Sequence, residues 1–111
     1  MDKDQFGHDP QVRFLRRAFA GMELAQGNLL EGLGISQFDE RLSRIRTASL
    51  KLFEKVWMTY SRWGLSPDEK EMTDVYIHCF AHILSAYRIS IPPGLINVNE
   101  KVINIIREVS K

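Results

Sequence analysis

FDERLSRIRTASLKLFEKVWMTYSRW, residues 38–63, decides the fold. Within it Phe38, Leu42, Ile45, Ser49, Leu52, Val56, Thr59 and Trp63 recur at alternating spacings of four and three. Arg44, Lys51, Glu54, Lys55 and Arg62 fall on the opposite side. A 3.5-residue period kept over the whole stretch predicts a long helix. Its narrow apolar seam packs against a near-antiparallel neighbour. Ser36 or Asp39 supplies an oxygen acceptor for the first orphan N–H groups, and Gly64 supplies the stop.

Upstream, Asp9-Pro10 reads as a helix start, a capping carboxylate followed by a residue with preset φ and no N–H to leave unpaired. Leu15, Ala18, Met22, Ala25, Leu29 and Leu33 then form one helical stripe, ended by Gly32 and Gly34. Ala18, Gly21, Ala25, Asn28 and Gly32 share a side, a strip of small residues that lets another helix approach closely. Downstream, Ser66-Pro67-Asp68-Glu69 reads as a capping box opening a third helix to about Arg88. The prolines of Ile-Pro-Pro-Gly at 91–94 cannot continue it. A fourth, shorter helix starts near Asn97 or Asn99. It places Val98, Val102, Ile105, Ile106 and Val109 on one side and runs to the end of the sequence.

The expected fold is therefore all-α: an antiparallel helical bundle of three long helices and one short C-terminal helix. A length of 111 residues fits one domain spanning 1–111, with residues 1–8 as a flexible N-terminal tail. At 44% apolar residues the chain has enough material for a core without staples. A formal charge of +1 gives no bulk attraction to nucleic acid or membrane. One cysteine excludes an internal disulfide framework and fits a reducing compartment. The polar, acidic start MDKDQFGHDP is unlike a signal peptide, and no apolar run approaches a membrane span, so the expectation is a cytoplasmic protein.

YIHCFAHILSAY, residues 76–87, sets two histidines four apart. With Asp74 they stack at i, i+4 and i+8, so Asp74, His78 and His82 form a candidate metal face. Cys79 points away from them, and no Glu-x-x-His pair or phosphate-binding glycine loop accompanies them. Boundary histidines on a core helix are the default reading, Cys79 is a buried small hydrophobe, and no cofactor is expected. No nucleophile elbow or forced carboxylate pair is present either, which argues against an enzyme.

Arg13, Arg16 and Arg17 in the first helix, and Arg41, Arg44 and Arg46 in the second, occupy early turns where cations oppose the helix dipole. They are the candidate contacts for a nucleic-acid backbone. Lengths favour a protein partner instead. At 1.5 Å per residue the first two helices are about 35 and 40 Å long, and the fourth covers only about half that. Leu50 and Trp57 at the margin of the second helix, Met58 on its charged face, and Ile77 and Leu84 widening the third are surplus apolar residues. They predict a second apolar surface. The expected function is a protein–protein interaction module, most simply a homodimer, or a small subunit of a larger assembly.

Overall fold

A computed structural model describes residues 10–111 of the chain, with side chains from residue 16. The capping role of Asp9, the tail at 1–8, and the Leu15 and Arg13 side chains lie outside the described residues. Four helices follow in order: α1 (Pro10–Leu33), α2 (Leu42–Arg62), α3 (Glu69–Ala86) and α4 (Glu100–Val109). Among the described residues there is no strand, and no helix is long and apolar enough to cross a membrane. The architecture is an all-α bundle.

α3 is the central element. From Val75 to Phe80 every residue is buried, which happens only when a helix is covered on all sides. α1, α2 and α4 pack on it. Arg17 Nε meets Glu69 Oε1 at 2.8 Å and Gln26 reaches Tyr76, so α1 and α3 run in the same direction. α2, between them in sequence, runs the opposite way and packs on α3. The small strip of α1 faces α3 and the segment beyond it. A Cβ on Gly21 would lie 3.0 Å from Thr73 Oγ1, and one on Gly32 would lie 2.7 Å from a Leu95 methyl. The strip serves close packing.

The predicted seam of α2 is shorter than its sequence pattern. Phe38 is 86% exposed and Trp63 59% exposed, and both lie outside the helix. Buried instead are Leu42, Ile45, Ser49, Leu52, Phe53, Val56 and Tyr60. The stripe has drifted from Thr59 to Tyr60, the drift a straight 3.6-residue helix makes against a 3.5-residue repeat. Neither predicted cap of α2 acts as one. Ser36 Oγ accepts from Phe38 N, and Asp39 Oδ1 accepts from Arg41 N, inside a turn that precedes the helix. For α3 the cap is Asp68, which accepts from Glu71 N at 2.8 Å, two residues later than predicted. Pro67 is buried just before it.

α3 ends with Arg88 at φ 62°, where Arg88 N donates to Ser85 O and Ile89 N to Leu84 O. This is the same paired closure that Gly34 and Gly64 make after α1 and α2, but built on a residue with a side chain. Residues 87–99 then run back past Gly32 to the middle of α3. Ile89, Ile91, Leu95 and Ile96 pack against the core along the way. Two predicted interface residues are thereby corrected. Ile77 is 8% exposed and Leu84 fully buried, both inside the single chain.

Candidate functional site

The predicted metal face resolves into a structural clamp. His78 is buried, with Nδ1 2.7 Å from the carbonyl oxygen of Asp74, to which it must donate. Its Nε2 accepts from Asn99 N–H at 2.9 Å, so both ring nitrogens are engaged and the ring is held as the Nδ1–H tautomer. Asn99 in turn donates from Nδ2 to Asp74 Oδ2 at 2.9 Å and accepts from Val102 N, which makes it the N-cap of α4. The cluster therefore fastens the start of α4 to the middle of α3. His82 lies exposed one turn further on. Among the described residues no group of three or more His, Cys, Asp or Glu side chains is placed to hold an ion.

The predicted arginines do not converge. Arg41 is gripped by Asp39 through Nε at 3.0 Å and a terminal nitrogen at 2.8 Å, and this pairing holds the Asp39 carboxyl down at about 2. Arg17 is paired with Glu69 across the α1–α3 contact. Arg16 and Arg44 are exposed at opposite ends of the bundle, because α1 and α2 run in opposite directions. Arg46 has a different role.

α1 and α2 both lean on α3 and not on each other, which leaves a groove of about 760 Å³ between them. Met22, Leu30, Ile35 and Tyr76 form its apolar lining, and Phe19 on α1 and Leu50 on α2 stand at its sides, 49% and 42% exposed. A single polar node crosses it. Tyr76 Oη and the buried Gln26 amide are hydrogen-bonded. The amide orientation that satisfies both neighbours has its nitrogen donating to Tyr76 and its oxygen accepting from Arg46 Nε at 2.7 Å. Burial pushes the Tyr76 phenol up to about 12, so it enters the node as a neutral hydroxyl. Glu23 and Glu31 line the α1 side and are in no ion pair among the described residues. One side of the groove is thus acidic, and the other carries a cation.

Of the predicted interface residues, Leu50 lines this groove. Trp57 is half-buried and stacked on Phe53, which contacts Tyr76 edge-on, so it continues the same side of α2 inward. Met58, 54% exposed, lies on the outer charged face. The sequence reading missed Phe19, Gln26 and Tyr76 as groove residues. Phe19 stands one position off the α1 stripe, and that displacement was the available signal. Gln26 and Tyr76 carry none, since only the splay of α1 from α2 brings them together. Comparisons with family models, with curated proteins and with solved structures find no match to this chain.

Proposed function

We propose that this chain is a non-enzymatic, cytoplasmic protein–protein interaction module that self-associates through the α1/α2 groove. The observation that carries the reading is the groove's divided rim. It is apolar at Phe19 and Leu50, acidic on the α1 side at Glu23 and Glu31, and cationic on the α2 side at Arg46. A surface with an acidic half and a basic half is complementary to its own copy. A two-fold axis across the groove sets the α1 rim of each molecule over the α2 rim of the other, so that Arg46 of each copy faces the Glu23 and Glu31 carboxylates of its partner. The exposed aromatic and leucine then supply the apolar centre that interface anchors require. The polar groups present are a neutral phenol, the amides of Gln26 and Gln37, a guanidinium and two rim carboxylates, a set suited to recognition rather than attack.

Gly27 supplies the test. It lines the groove, and a Cβ there would have nothing within 4 Å. In a Gly27→Cys variant the new thiol reacts slowly with a bulky maleimide at tens of micromolar protein and faster on dilution. Cys79 is buried, and the loss of solvent around it pushes its thiol up to about 12, so it stays silent as an internal control. A rate that is fast and independent of protein concentration would overturn self-association.

A further inference from the structure

The outer face of α2 carries a second, independent feature. Arg44, Lys51, Lys55 and Arg62 are spaced seven, four and seven apart, which at about 100° per residue puts all four within about 20° of one line. The line is about 27 Å long. All four side chains are exposed, and none is in an ion pair among the described residues. Glu54 stands at the flank of the row and is the one acidic residue of α2. Of the arginines that sequence reading had grouped, the row retains only Arg44.

We infer that this row is a binding site for the phosphate backbone of a nucleic acid. The chain as a whole is almost neutral, so bulk charge does not draw it to a polyanion, whereas a straight row of uncompensated cations on a rigid helix does. The nearest neighbours of the row on the helix surface are Ala48, Met58, Thr47 and Thr59, none of them anionic. A lipid surface fits this face less well. Peripheral membrane helices present a broad apolar side to the acyl boundary, and in α2 that side is consumed by the core and the groove, which leaves Met58 as the large apolar residue of the row. Among the described residues no base-reading element accompanies the row, so the proposed binding depends on the backbone and is indifferent to sequence.

Fluorescence anisotropy with a labelled random-sequence DNA duplex, titrated from 50 to 200 mM salt, tests the site. Four phosphate contacts predict a slope of about −3.6 in log affinity against log salt. Neutralising the row (Arg44→Gln, Lys51→Gln, Lys55→Gln and Arg62→Gln together) lowers duplex affinity at least tenfold. Arg16→Gln leaves it unchanged. Singly, Lys51→Gln and Lys55→Gln each reduce the slope by about one, which keeps the test decisive should the fourfold variant fold poorly. Three results would overturn the inference: no duplex binding at 50 mM salt, equal binding by the neutralised variants, or tighter binding to phosphatidylserine vesicles than to the duplex.

Discussion

Tyr60 is buried to 1% exposure, yet its hydroxyl finds no hydrogen-bond partner among the described residues, while Lys101 Nζ lies 5.2 Å from its ring centroid. The ring contributes packing and a cation–π contact, and the hydroxyl contributes a desolvation cost. Tyr60→Phe is therefore predicted to stabilise the protein by about 0.5–1 kcal/mol, read as a higher denaturant midpoint at unchanged m-value. A lower midpoint would mean the hydroxyl has a partner.

Two other buried groups set the alkaline limit. Burial raises Cys79 from 9.0 to about 12 and Tyr76 from 10.0 to about 12. The unfolded chain loses these protons first, so deprotonation favours unfolding. The contribution of these two groups is level below pH 9 and falls between pH 9 and 12, by about 1.4 kcal/mol per pH unit for each group inside its window. Chemical denaturation from pH 8 to 11 should show the decline, with a shallower slope in Cys79→Ala. A flat profile would contradict the burial of both groups.

At the scale of the element, the closure of α3 uses the left-handed region at Arg88, where a side chain costs about 1 kcal/mol relative to glycine. Arg88→Gly is predicted to raise stability by about 0.5–1 kcal/mol in thermal or denaturant unfolding, and a loss would mean the arginine side chain makes a compensating contact. The opposite holds at the other end of the same connection. Asn99 caps α4 and joins it to His78 and Asp74, so Asn99→Ala is predicted to cost about 1–2 kcal/mol and to increase hydrogen exchange selectively in α4. Uniform exchange across all four helices would show that the clamp is not local to α4.

These two sites also show how far the sequence could be read. The stops at Gly34 and Gly64 and the existence of all four helices are local properties of the chain, visible as punctuation and period. The 87–99 segment has neither. Its prolines mark it as non-helical but do not tell that Ile89, Ile91, Leu95 and Ile96 return to the core, and so Ile77 and Leu84 looked like surplus. The His78 pattern was equally ambiguous, because its partner Asn99 lies 21 residues away and only the return of that segment makes them neighbours.

For the whole molecule, the radius of gyration of 14.9 Å exceeds the roughly 13 Å expected of a compact domain near this size, and the extents of 45 × 34 × 23 Å describe a flattened body. Within this body α1 and α2 splay across α3 and leave one corner open. Leu50 is legible in the sequence as a surplus apolar residue at the margin of α2. The corner itself is not, because it depends on two helices failing to meet.

Self-association requires that corner to be filled by a second copy. Sedimentation equilibrium across a concentration series ending at tens of micromolar measures it directly. The predicted mass at the upper end is twice 12.9 kDa, reverting to 12.9 kDa in a Phe19→Asp, Leu50→Asp variant whose helical content is unchanged. A single species of 12.9 kDa throughout the series, or a dimer indifferent to both substitutions, would contradict it.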